Sequence, residues 1–489
     1  MRETLHRCLG LRETITITAG TVIGVGLFTV GANVVGVLGP FVILATLAAL
    51  LISIYPSLLY AEMGGALPSA GGTYRYAALG LGRPFGMLAG WSFVISMISV
   101  ASGEALAFSF YLRTLLEALG LSLPISDRWI ACLAVAGFLV LAVRGVEMTG
   151  RLQNGFMFFF WGVAIVWILS TLPSMHFGEA LTVPDPTSLT FAGFLPCVAM
   201  VWWCFAGFET CCAMGEEIRR PRVNLPRALF LAPFLVFAVN GLFQWALLRI
   251  VPPESIASLA DAAAPYAQGM KQAGVVGFPL ILLCLGIAFG GDFSTLNASV
   301  TAPARYLYTM ARDGALPKVF AKLHPRWKTP IAAIAALGIF TLVLISTDSI
   351  NYIASLSLFC TLLYYIIGMA AACVLRVRQP ALFRPYRAPW IWLGAPVSIL
   401  IYLFMMTQLE RSAVLTGIVC CALGMAAFLL CRKRGSPSED ALLPPDDPPP
   451  SPDEQRRMDR EYRLWKWAVA VAVLLVLALH LPLLLGAVF

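Results

Sequence analysis

The chain has 489 residues, 59% hydrophobic and 12% charged, with 34 Lys and Arg against 26 Asp and Glu. A soluble globular chain carries about 25% charged and about 45–50% apolar residues, so a mean hydropathy of +0.81 excludes an ordinary soluble protein. The net charge of +8 is dispersed between apolar runs rather than gathered into a basic patch, which argues against a nucleic-acid partner.

In chain order, thirteen apolar runs are each long enough to cross ~30 Å of hydrocarbon as a helix. They lie at about 13–37, 39–66, 86–112, 129–146, 153–173, 191–214, 226–251, 275–308, 330–346, 350–375, 389–408, 411–431 and 464–487, and are called spans 1 to 13 below. Their hydrophobicity is continuous, without the period-two alternation of a membrane barrel. Span 1 is too long for a signal peptide and lacks a small-residue cleavage pattern. Residues 1–12 precede it as a short N-terminal segment. Around 252–274, Pro252, Pro253, Asp261 and Pro265 predict short surface helices. The stretch 432–463 carries Ser436, Pro437, Pro444, Pro445 and the run Pro448–Pro450, and reads as an extended cytoplasmic linker to an extra terminal span at 464–487.

The basic residues orient these spans. With the N-terminus in the cytoplasm, the outside segments hold Arg113, Arg128, Arg249, Lys271 and Arg411, and the remaining 29 of 34 lysines and arginines fall inside. One missed or invented span would invert every later loop, so this bias supports the expected count; the expected location is the cell membrane, plasma or inner.

Two spans are interrupted. Gly20-Thr21-Val22-Ile23-Gly24-Val25-Gly26 puts three glycines in the middle of span 1, and Phe205-Ala206-Gly207-Phe208-Glu209 puts a glycine beside an acid in the middle of span 6. Glycine costs roughly 1 kcal/mol against alanine in a helix interior, and unwound backbone at membrane depth survives where it faces protein or a polar cavity. Small residues also serve plain helix packing. A pair of breaks five spans apart, in opposite topological senses, points instead to a transporter site between inverted repeats.

With these motifs the chain resembles the amino acid–polyamine–organocation superfamily of permeases. Gly20 to Phe28 is similar to its first-span motif, and Tyr60-Ala61-Glu62-Met63 through Pro68-Ser69-Ala70-Gly71-Gly72-Thr73-Tyr74 to its second-span exit. Gly145 to Asn154, Phe205 to Glu209, Glu216-Glu217-Ile218, Pro221 to Ala228, Ser294-Thr295-Leu296-Asn297 and Ala311 to Pro317 follow in the family's order. The likeness covers roughly residues 10–430. It implies an all-α membrane fold of two five-span inverted repeats, 13–173 and 191–375, with spans 11 and 12 at 389–431.

The resemblance also implies a site. Thr21, Ile23, Gly24, Val25 and Gly26 would receive a substrate carboxylate at backbone amides, helped by the positive end of a half-helix. Cys204, Phe205, Ala206, Gly207 and Phe208 would supply carbonyls to an ammonium group and an aromatic lid. Three acids lie deep in spans, Glu104, Glu209 and Asp292. A carboxylate there must be paired, solvated or protonated, which makes each a candidate for proton coupling or cation binding, with a hydrogen-bonded structural acid as the alternative. Glu62, Glu216 and Glu217 sit beside arginines and read as ion-pair residues.

Many family members carry a lysine in span 5 where related transporters hold sodium. Here that place falls near Phe160, and 152–173 contains no lysine or arginine. Exchange, facilitated movement and coupling through an acid all stay open. The outside loop near 113–128 has no cysteine for a disulfide-linked heavy subunit. No P-loop, zinc-ligand cluster or nucleophile–base pair is found, so neither an enzyme nor a metal or cofactor is expected. The twelve cysteines read as buried small hydrophobes. The reading is an amino-acid transporter working by alternating access; a carrier of polyamines or other amines, and a transporter-like sensor, are the alternatives.

Overall fold

The computed structural model describes residues 7–177, 181, 183, 184, 186–347, 349–431 and 450–488. Among these, long helices dominate and no named strand is formed; two isolated bridges pair Leu9 with Ile218 and Ala70 with Met214. Among the described residues, nine helices are long and apolar enough to cross a membrane. The other four expected spans are helical but shorter or divided. Span 1 is split at its glycines, and spans 4, 9 and 11 are Asp127–Val143, Ile331–Ile345 and Ile391–Met406, of 17, 15 and 16 residues.

Local chemistry sets the boundaries. Gly39, with φ of 53°, and Pro40 turn the chain between spans 1 and 2. The Thr190 hydroxyl accepts from Gly193 N–H at 3.2 Å to open span 6, and Ser349 accepts from Tyr352 N–H at 3.3 Å to open span 10. The short helices predicted near 252–274 form at Pro253–Leu259 and Pro265–Gln272.

Span 3, Arg83–Ala118, runs through the centre: 89% of its most apolar stretch is buried, against 22% for span 12, Arg411–Cys431. It packs on spans 8 and 10, while span 2 packs on span 7, Pro221–Ile250. The outer helices turn Leu133, Ile339, Leu400 and Leu423 outward, as lipid solvation allows.

The linker expected over 432–463 departs from that reading at its end. Residues 432–449 lie outside the described ones, but from Pro452 the chain is one helix to Val488. Ser451 caps it, its hydroxyl accepting from Glu454 N–H at 3.3 Å, with Pro452 in the first turn. Arg220 pairs with Glu454 at 2.8 Å, Arg227 pairs with Asp459, and His480 Nε2 meets the Gly241 carbonyl at 2.8 Å, so this helix is docked along span 7.

Candidate functional site

The glycines of span 1 sit where helical bonding lapses. Leu11–Gly20 is helical, and Thr21 and Ile23 N–H still donate to Ile17 and Ala19 carbonyls at 3.0 Å. Bonding resumes with Leu27 and Phe28 N–H on the Gly24 carbonyl, at 2.9 and 3.0 Å. Between these sets, Val25 N–H leaves the helix and donates to both oxygens of Glu104, at 2.9 and 3.0 Å. A side chain at Gly24 is incompatible with this arrangement: a Cβ there would lie 2.3 and 2.5 Å from the Glu104 oxygens and 2.5 Å from Thr295 Oγ1.

Span 8 holds the freed carbonyls. Thr295 Oγ1 is 2.8 Å from Gly20 O and 3.1 Å from Ile23 O, and Ser294 Oγ is 3.2 Å from Gly20 O. Gln153 of span 5 buttresses them, donating to Ser294 Oγ at 2.7 Å and accepting from Asn297 at 2.7 Å. The place counted to the family lysine holds Phe160, stacked on Phe243 and edge-on to Phe28.

Span 6 breaks by tightening. After the helix Phe191–Trp203, the N–H groups of Cys204, Phe205 and Ala206 bond three residues back, at 2.9, 2.8 and 3.1 Å. Gly207 then takes φ of 105°, a conformation that favours glycine. The two breaks touch: the Cys204 thiol donates to Gly26 O at 3.0 Å, and a Cβ on Gly207 would lie 3.2 Å from Thr21 Cγ2. Phe208 stacks on Tyr365 with centroids 5.4 Å apart and meets Tyr60 edge-on.

The three deep acids fall into two places. Glu104 and Asp292 meet at the span 1 break. Asp292 lies beside the Glu104 carboxyl, yet among the described residues neither of its oxygens finds a hydrogen-bond donor in good geometry. Glu209 stands apart, accepting from the hydroxyls of Tyr364 and Tyr365 in span 10, while Gly207 N–H donates to Tyr365 Oη at 3.2 Å. All three acids are at most 2% exposed. Sequence reasoning missed Tyr364, Tyr365, Gln153 and the roles of Ser294 and Thr295. The last two lay in a recognised motif, whereas the tyrosines look like ordinary aromatics of an apolar helix.

The break residues are closed off at both ends. Toward the end where Glu62, Glu216 and Glu217 lie, Cys8 N–H donates to Glu217 O at 2.9 Å and Arg219 N–H to Leu9 O at 2.7 Å. Arg305 pairs there with Glu217 at 3.4 Å, Arg312 with Glu216 at 3.2 Å, and Arg376 with Glu62. Toward the other end, Phe28 is enclosed by Phe160, Phe243 and Tyr266, and Tyr111 donates to its carbonyl at 2.9 Å. Two facing helix breaks, with amides on one and carbonyls on the other, can hold a small zwitterion without a fixed pair of charged side chains. Among the described residues no three His, Cys, Asp or Glu side chains group as a metal site.

Comparison with known proteins identifies the class of protein. An amino acid permease family model matches residues 9–428. An uncharacterised transporter of Mycobacterium tuberculosis is 28% identical over 446 residues, 90% of this chain and 95% of its own. The branched-chain amino acid permease BcaP of Bacillus subtilis is 23% identical over 455 residues, 89% and 95% of the two chains. A methylthioribose transporter of the same organism is 25% identical over 459 residues, again 89% and 95%. The last helix lies beyond the matched region. With its broken spans and apolar helices, this chain is an integral membrane transporter and belongs to the amino acid permease family.

Proposed function

We propose that the protein carries an amino acid across the cell membrane by alternating access, with the substrate held between the breaks of spans 1 and 6. The contact of those breaks at Cys204 and Gly26 carries this reading. The substrate carboxylate meets the amides of Gly24, Val25 and Gly26, backed by Thr21 and Ile23. Its ammonium meets the carbonyls at Cys204, Phe205 and Ala206. Gly207 gives the turn its freedom, and Phe208 moves with it. Spans 1, 2, 6 and 7 rock against the rest, opening first the ion-paired end and then the Phe28 end. The N-terminus lies in the cytoplasm, as the basic-residue bias supports, and no disulfide-linked subunit takes part.

The wall around the breaks is apolar, with Ile23, Val25, Trp203, Phe205 and Phe208 all buried, which favours a neutral side chain such as that of the branched-chain amino acids named for one relative. Proton coupling, where present, runs through Glu104 with Asp292 or through Glu209. The test is uptake of a labelled amino-acid panel into proteoliposomes, with and without a proton gradient and with amino acid preloaded inside. Gradient-driven uptake assigns coupling to the acids, and uptake that needs preloading makes the protein an exchanger. Binding without movement of any amino acid or amine refutes transport and leaves a sensor.

A further inference from the structure

We infer that the Glu104 carboxylate is a tethered stand-in for the carboxylate of the substrate, and that loading the site requires Glu104 to give up the amide of Val25. This rests on the amino-acid reading above. Val25 N–H is directed out of span 1 between the last bond of one half-helix and the first bond of the next. It stands at the start of the second half-helix, where backbone amides and the helix dipole favour an anion. In the closed protein that anion is already present: both Glu104 oxygens lie within 3.0 Å of the amide. An incoming carboxylate and Glu104 cannot share one donor, because two anions so close in a water-poor site repel strongly.

The surroundings say what becomes of Glu104 once displaced. Asp292 faces it from span 8, and the same repulsion leaves one proton on the pair, held by Asp292 while Glu104 accepts from Val25. The Thr295 hydroxyl stands on the same side of Gly24 as Glu104, and its own helix contributes Tyr111, whose hydroxyl is committed to Phe28 O. Neither Glu104 nor Asp292 makes a salt bridge with any described lysine or arginine. The cation for the released carboxylate therefore comes with the substrate. A zwitterion supplies both halves of the exchange: its carboxylate goes to Val25, and its ammonium, seated on the span 6 carbonyls, brings the cation that offsets the released Glu104. A ligand with a carboxylate and no amine supplies one half and is rejected. Glu104 thus acts as a selectivity filter for amino acids over plain carboxylic acids.

The test is a gain of binding, which a misfolded variant cannot mimic. Leucine and arginine, with their deamino counterparts 4-methylpentanoate and 5-guanidinopentanoate, are titrated against purified full-length protein by calorimetry. Wild type is expected to bind an amino acid and to refuse the matching carboxylate. Glu104→Ala frees the amide and is expected to bind that carboxylate at least about tenfold more tightly, the size of one charge-assisted hydrogen bond. Glu104→Gln, uncharged but still able to accept from Val25, is expected to gain less. An amino acid bound by wild type, with no gain for its deamino counterpart in either variant, overturns the inference and leaves the transport reading standing. No binding of either amino acid by wild type refutes the amino-acid reading of the site, and the inference with it.

Discussion

Replacing Gly24 by alanine tests the geometry of the first break more sharply than any change of a polar group. The added methyl would lie 2.3 and 2.5 Å from the Glu104 oxygens and 2.5 Å from Thr295 Oγ1, all inside van der Waals contact. Overpacking of this kind costs about 1–3 kcal/mol. If Glu104 moves aside, its hydrogen bonds to Val25 go with it, a further loss of about 1.5–3 kcal/mol for a bond to a charged group. Gly162, in span 5, is the control, because a Cβ there meets nothing within 4 Å. Gly162→Ala is expected to leave stability unchanged or to raise it by up to ~1 kcal/mol. The assay is thermal unfolding in detergent, paired with initial uptake rates in proteoliposomes. Gly24→Ala is expected to unfold several degrees lower and to lose most uptake, with Gly162→Ala like wild type. Equal melting and equal uptake for the two variants would refute the close approach of Glu104 to the break.

Other consequences follow from single contacts. Tyr365→Phe removes a donor to Glu209 and the acceptor of Gly207 N–H; leaving buried groups unpaired costs about 1–3 kcal/mol, so melting temperature and uptake should both fall, whereas Tyr352→Phe, nearer the rim, should change little. Arg305→Ala strands Glu217, whose side chain is 2% exposed, and is expected to cost about 3–5 kcal/mol. Arg220→Ala affects Glu454, which is 39% exposed, and is expected to cost under about 1 kcal/mol; denaturation of the two variants side by side checks the ordering. Gly241→Leu fills the space against which Val476 packs, where even a Cβ would lie 2.3 Å from Val476 Cγ1. It should lift the last helix from span 7, seen as loss of a crosslink between cysteines placed at Arg220 and Glu454.

Much of this architecture was legible because lipid makes composition informative. Apolar length located the spans, and the glycine clusters located both breaks to within a residue or two. The terminal helix was legible too: Ser451-Pro452-Asp453-Glu454 is a helix-start pattern, and the prolines at 444–450 drew the reading past it toward an extended linker. What could not be read was partnership between distant segments. Glu104 is one acid in a continuous apolar run, and nothing local says that it reaches the Val25 amide 79 residues away. Tyr364 and Tyr365 carry no sign that both hydroxyls meet Glu209, since tyrosine suits a membrane helix for other reasons. The short spans 4, 9 and 11 show the converse: hydropathy alone ran each of them past the helix end, which falls at Arg144, Ser346 and Thr407.

Cys204 offers the most direct measurement of the central claim, that substrate binds between the two breaks. Its thiol is fully buried against Gly26 in the closed protein and becomes reachable as the breaks part. The rate of its modification by N-ethylmaleimide in membranes, read site by site by mass spectrometry, is compared with and without an amino acid that the protein transports. Cys420, part-exposed on span 12, serves as reference. Saturating substrate is expected to slow modification of Cys204 severalfold and to leave Cys420 unchanged. An unaltered rate at Cys204 under saturating, transported substrate would contradict a site between spans 1 and 6.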